Sequence, residues 1–163
     1  MYPTAGGATN FQAPSYSPLT GFFYLAYSEN GQQYISVPQN IERGRQYLGR
    51  APVRPGGPPQ RSSNDPEPNA GVKALDPESG KTVWDLKLFQ SSNTNGLLAT
   101  AGGIVFASSR DGNIIAIDAK TGRHLWHYQT GGNNAASPMS YAIDGRQYIA
   151  LAAGNNLFTF ALP

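Results

Sequence analysis

Cysteine is absent from the 163 residues, which rules out a disulfide framework and any thiolate-held metal. Charge is scarce as well. Asp, Glu, Lys and Arg make up 13% of the chain and leave a net +2, far from the basic footprint that nucleic acid demands. No apolar run approaches the ~18 residues of a membrane-spanning helix. The opening Met1-Tyr2-Pro3-Thr4-Ala5-Gly6-Gly7 has neither the basic stretch nor the apolar core of a secretory signal. Either the chain is cytosolic or its true start lies upstream. No segment sustains a helical period. Acidic clusters are missing, and the two histidines, His124 and His127, bracket Trp126. Strand alternation sends them to opposite faces, so no metal site is expected there.

Glycine and proline are plentiful, at 19 and 13 residues, a turn-rich composition that points to an all-β chain. Residues 74–84 read Ala-Leu-Asp-Pro-Glu-Ser-Gly-Lys-Thr-Val-Trp, and residues 116–126 read Ala-Ile-Asp-Ala-Lys-Thr-Gly-Arg-His-Leu-Trp. Ala, Asp, a hydroxyl residue, Gly, a basic residue and Trp recur at the same offsets, 42 positions apart. That period marks a β-propeller blade or another stacked repeat. Before Asp118 runs Asn113-Ile114-Ile115-Ala116-Ile117, apolar on consecutive residues, as in a sheet covered on both faces. Asp76 and Asp118 are turn formers, Gly122 turns the chain back, and Trp84 and Trp126 should each be buried against an adjoining blade. At roughly 40 residues per blade, 163 residues make about three blades, whereas propellers close at about four to eight.

In chain order, Ser17-Pro18-Leu19-Thr20-Gly21 and Tyr24 resemble a degenerate Trp unit. Asn30-Gly31, Asp111-Gly112 and Asp144-Gly145 are hairpin signals, the first joining residues 22–27 to 33–37. Residues 38–70 hold seven prolines and five arginines and read as a solvated insertion between two strands, or else as a basic lid or docking loop. Strands are expected at 72–75, 82–88, 96–100, 104–108, 140–143, 147–152 and 157–161. On the residues alone, no catalytic constellation emerges.

The Ala-x-Asp-x-x-(Ser/Thr)-Gly-x-x-x-Trp unit resembles the tryptophan-docking motif of the pyrroloquinoline quinone (PQQ)-dependent dehydrogenases. Residues 6–18, 96–106 and 137–148 resemble further stretches of that family, in family order. The resemblance implies an eight-bladed quinoprotein propeller of which residues 1–163 form the C-terminal portion. It implies oxidation of alcohols or sugars by hydride transfer to PQQ, a periplasmic full-length protein, and a cytochrome or quinone as electron acceptor. Asn10 matches the asparagine that hydrogen-bonds the quinone, and Phe11 takes the place usually held by Trp beside the ring. Thr94 and Asn95 fall where many members have Trp-Gly near the cofactor. The family's calcium ligands and catalytic base match nothing here. They are expected on the remaining blades, upstream or on another chain, so no catalytic or metal-ligating residue is assigned. A non-catalytic propeller that scaffolds protein partners carries similar repeats and is the alternative reading.

Overall fold

The computed structural model describes residues 1–4, 6–32, 34–49, 66–88, 96–134 and 136–162. Eleven strands form three antiparallel sheets, and no helix occurs among the described residues. The first sheet is β1 (Ser15–Ser17), β2 (Phe22–Glu29), β3 (Asn69–Leu75) and β4 (Thr82–Lys87), side by side in chain order. β5 (Leu98–Ala99), β6 (Ile104–Ser108), β7 (Asn113–Asp118) and β8 (His124–Gln129) repeat that order in the second. The third holds β9 (Met139–Ile143), β10 (Arg146–Ala153) and β11 (Asn156–Ala161), with β10 central. This is the meander of successive propeller blades, the last with three strands among the described residues.

Consecutive apolar residues in β7 follow from cover on both faces. Ile115 and Ile117 enter a core with Tyr24, Val72, Ala74 and Trp84 of the first sheet. Ile114 and Ala116, also buried, point the other way with Trp126 and Tyr128, their ladder partners. The Trp84 ring lies on Gly122, where an added Cβ would stand 2.7 Å from its Cδ2. Its indole Nε1 donates to the Ala119 carbonyl at 3.0 Å. One repeat therefore docks on the turn of the next. Asp118 Oδ1 holds that turn through the Lys120 and Thr121 amides at 3.1 and 2.8 Å, and Asp76 holds the earlier one through the Glu78 amide at 2.9 Å.

Four expectations need correction. Trp126 is 40% exposed where Trp84 is 9%. No docking turn follows β11 among the described residues, and the Trp126 ring meets Phe160 edge on at 5.3 Å and stacks on Tyr128 at 6.4 Å. Tyr24 does not replace Trp in a blade of its own. It lies in the second strand of the sheet that carries Trp84, its ring 5.6 Å from that indole, and donates to the same Ala119 carbonyl at 3.0 Å. Asn30-Gly31 closes no hairpin. Gly31 lacks the positive φ such a turn needs, and both edges of β2 are taken, by β1 and β3. Residue 32 pairs instead with the chain start, Gln32 N donating to Met1 O at 2.9 Å. Finally, His124 and His127 share a face, their ring centroids 5.2 Å apart, because an extra residue shifts the β7–β8 register between Ala116 and Ile117. The Asp111-Gly112 and Asp144-Gly145 hairpins form as expected, between β6 and β7 and between β9 and β10. The insertion over 38–70 falls partly outside the described residues, and β3 begins within it at Asn69.

Candidate functional site

Antiparallel alternation sorts the connections between two ends. The short turns at 18–21, 76–81, 100–103, 119–123 and 144–145 lie at one. The segment before β1 and the connections β2–β3, β4–β5, β6–β7, β8–β9 and β10–β11 lie at the other. Hydrogen bonds tie this second end together. Ser28 N donates to Ala8 O at 2.8 Å, Leu97 N to Ala13 O at 2.9 Å, Thr130 N to Gly112 O at 2.9 Å and Gly154 N to Asn133 O at 3.1 Å.

Asn10 and Phe11 sit in this cluster, on the segment leading into β1. Asn10 Nδ2 donates to Gly6 O at 3.0 Å, and Asn10 Oδ1 accepts from Phe11 N at 2.8 Å. The amide thus shapes its own loop, with one of its two amide hydrogens still available. Phe11 is 87% exposed, so its ring belongs to no core and presents a bare apolar face. Ser15 Oγ accepts from Ala99 N at 2.9 Å, pinning the entry of β1 beside β5. Gly96 meets Ser137 so closely that a Cβ would overlap the serine side chain. The leading segments of all three sheets therefore meet around Ala13, Gly96 and Ser137, with Ala13 three residues along the chain from Asn10. Thr94 and Asn95 lie outside the described residues, two and one positions before Gly96.

Residues 86–149 match the profile of the PQQ-associated glucose/ethanol/alcohol dehydrogenase beta-propeller domain. Quinoprotein alcohol dehydrogenase PedE of Pseudomonas putida is 36% identical over 149 residues, 91% of this chain and 22% of that protein. The 1-butanol dehydrogenase (quinone) of Thauera butanivorans is 33% identical over the same shares. Among solved structures, quinohemoprotein alcohol dehydrogenase ADHIIG from Pseudomonas putida superposes with a TM-score of 0.75 at 28% identity, over 95% of this chain and 23% of that one. The enzyme from Comamonas testosteroni gives a TM-score of 0.71 at 28% identity, over 93% and 23%. Over most of its own length the chain matches the propeller of the PQQ-dependent dehydrogenases. It spans about 22% of the length of these curated relatives.

For a PQQ-dependent dehydrogenase, the residues present suit a flat quinone. Phe11 offers an exposed ring for an apolar contact, and Asn10 a free amide hydrogen. Two further polar side chains at this end escaped sequence reasoning. Asn134 is fully buried. Its Oδ1 accepts from Thr130 Oγ1 at 3.0 Å, while its Nδ2 has no partner among the described residues. Gln12 Oε1 is likewise buried without a partner among them. Both stand in stretches that the sequence marks only as Asn-, Gln- and Gly-containing loop. Among the described residues no three His, Asp or Glu side chains converge on a point.

The same end of the first sheet carries a charged cluster on the face away from the core. Tyr27 donates to Asp85 Oδ1 at 2.7 Å and accepts from Lys87 Nζ at 2.8 Å. Lys87 also reaches Asp85 Oδ2 at 3.0 Å and Asn69 Oδ1 at 2.8 Å. Lys73 stacks 3.7 Å above the Tyr27 ring. Burial pushes the Tyr27 phenol up to about 12, the Lys87 bond opposing it. Lys87 itself is raised, chiefly by its bond to Tyr27. The bond from Asn69 lowers Glu29. These groups brace β2, β3 and β4 where the β2–β3 connection leaves the sheet.

Proposed function

We propose that this chain is the C-terminal portion of a periplasmic quinoprotein dehydrogenase and forms part of the wall of its cofactor site. The observation that carries the reading is the 36% identity over 91% of the chain to a quinoprotein alcohol dehydrogenase, together with an Asn10-Phe11 pair displayed just ahead of where the sheets' leading segments meet. PQQ, when bound, supplies the two-electron acceptor for oxidation of an alcohol to a carbonyl. Asn10 holds it by donating its remaining amide hydrogen. Phe11 covers an apolar face and keeps water from it, and the family resemblance adds Thr94 and Asn95 as further cofactor contacts. The Leu97–Ala13 and Ala99–Ser15 bonds fix these segments against each other, so that donor and ring keep their spacing as substrate enters and leaves.

Calcium, the base that takes the substrate proton and the remaining cofactor contacts come from the rest of the propeller. Primary alcohols are the first substrate class to test, since the four dehydrogenases compared above are named for alcohols. A cytochrome is the favoured acceptor. The relative named 1-butanol dehydrogenase (cytochrome c), from Thauera butanivorans, is 32% identical over 94% of this chain. The scaffold alternative has no comparable support. The test is dye-linked oxidation by the full-length protein reconstituted with PQQ and calcium. Alcohol-dependent dye reduction that requires the quinone is expected, and its absence with every alcohol and sugar tried would overturn the reading.

A further inference from the structure

The two histidines that alternation would separate are brought together by a device that the repeat already contains. In the β7–β8 ladder Ala116 faces Trp126 and Ile117 faces His124, so Leu125 is an extra residue in β8. One repeat earlier, Ala74 faces Trp84 and Leu75 faces Thr82, leaving Val83 as the extra residue. The bulge is therefore a property of the unit. It gathers the residues before and after the Val83–Trp84 or Leu125–Trp126 pair onto one face. In the first copy these are Thr82 and Asp85, and Asp85 is engaged by Tyr27 and Lys87. In the second copy both are histidine.

The rings of His124 and His127 lie 5.2 Å apart, centroid to centroid, with planes inclined at 46°. Both residues are exposed. Neither ring nitrogen makes a hydrogen bond or ion pair with any described residue. The ladder neighbours on their face are Ile115 and Ile117, so no ammonium or carboxylate on β7 competes for them. A neutral imidazole carries one accessible lone pair, and two rings at this spacing can share one ion at the usual ~2.0–2.1 Å metal–nitrogen distance.

We propose that His124 and His127 form a two-imidazole chelate for a late first-row divalent cation, solvent completing its coordination. Imidazole nitrogens select copper, nickel and zinc, with copper(II) held most tightly. Calcium, which takes oxygen ligands, should not bind there. The pair flanks the docking turn, towards the end of β8 away from Asn10, so the site is independent of the quinone reading. A bound ion would cross-link the two sides of the bulge and add to the stability of the folded chain by mass action.

The test is calorimetric titration of copper(II) chloride, zinc chloride and calcium chloride into the tagless chain and its His124→Gln and His127→Gln variants. One equivalent of copper and of zinc should bind the parent. Each single variant should bind about 100-fold more weakly, because loss of either ring removes chelation. Zinc should raise the melting temperature of the parent and leave both variants unchanged, while without metal all three melt alike, as befits exposed side chains. Equal affinity in parent and either variant, or no copper or zinc binding to the parent, would overturn the proposal. So would calcium binding that disappears with the histidines.

Discussion

Replacing Gly122 by alanine should be far more damaging than the same change at Gly80, although the two glycines occupy the same place in the repeat. Both have left-handed φ, +74° at Gly122 and +68° at Gly80. A Cβ in that region costs about 1–2 kcal/mol, and this part of the loss is common to both. They differ in what the Cβ meets. At Gly80 nothing lies within 4 Å, whereas at Gly122 it would stand 2.7–2.9 Å from Cδ2, Cε3 and Cγ of the Trp84 indole. That ring cannot step aside freely, since its Nε1 is bonded to Ala119 O at 3.0 Å. Crowding of this kind costs about 1–3 kcal/mol. Gly80→Ala should therefore lose about 1–2 kcal/mol and Gly122→Ala about 2–5 kcal/mol, read as shifts of the urea midpoint at constant slope. Adding Trp84→Leu should erase most of the difference, because the ring that clashes is gone. Equal losses at the two glycines, or a difference that survives removal of the indole, would refute the docking of Trp84 on Gly122.

Other consequences are as direct. Trp84→Ala should destabilise by about 3–5 kcal/mol, as for a buried tryptophan, and Trp126→Ala by less than half as much; paired melts decide it, and equal losses would contradict the unequal burial. An alkaline absorbance titration should show one tyrosine ionising only near pH 12, absent in Tyr27→Phe. Its phenol is raised in the folded chain, so its contribution is complete below about pH 10 and lost as pH rises towards the folded value; Lys87, also raised, acts in the same sense. Asp76 and Asp118 are lowered, chiefly by bonds from the Ser79 and Thr121 hydroxyls. Their contribution is present above the usual carboxylate range near 3.9 and fades as pH falls through the folded values, so Asp76→Asn with Asp118→Asn should flatten the acid limb of stability.

The repeat could be read because it is a periodic pattern whose residues have local jobs. Asp118 collects turn amides and Gly122 has the reversed φ, and both are visible as residue types at fixed spacing. Asp144-Gly145 could be read for the same reason, with φ positive at both residues. Asn30-Gly31 misled because a dipeptide reports only its own backbone preference. The edge of β2 that it would have paired is claimed by β3, some 40 residues on. Trp126 is the same residue as Trp84 in the same motif, yet its burial depends on the sheet packed against its ring and not on its own unit. The histidines misled because strict alternation fails at a bulge. The copy at Val83 was there to be seen only once pairing was known. At the candidate site Asn10 and Phe11 are singled out by family resemblance alone. Buried Asn134 is not, since a loop asparagine looks the same in sequence whether it faces solvent or the interior.

The measurement closest to the central claim is PQQ affinity in the full-length protein carrying this segment, with and without Asn10→Asp. The aspartate keeps the oxygen that accepts from Phe11 N and loses both amide hydrogens, the one bonded to Gly6 O in this exposed loop and the one offered to the quinone. Stranding a buried polar partner costs about 1–3 kcal/mol, which is roughly a 5- to 150-fold weaker quinone titration. Melting of the quinone-free variant should stay close to the parent's. An unchanged quinone affinity would reduce Asn10 to a residue that shapes its own loop and would contradict the placement of the cofactor against this segment.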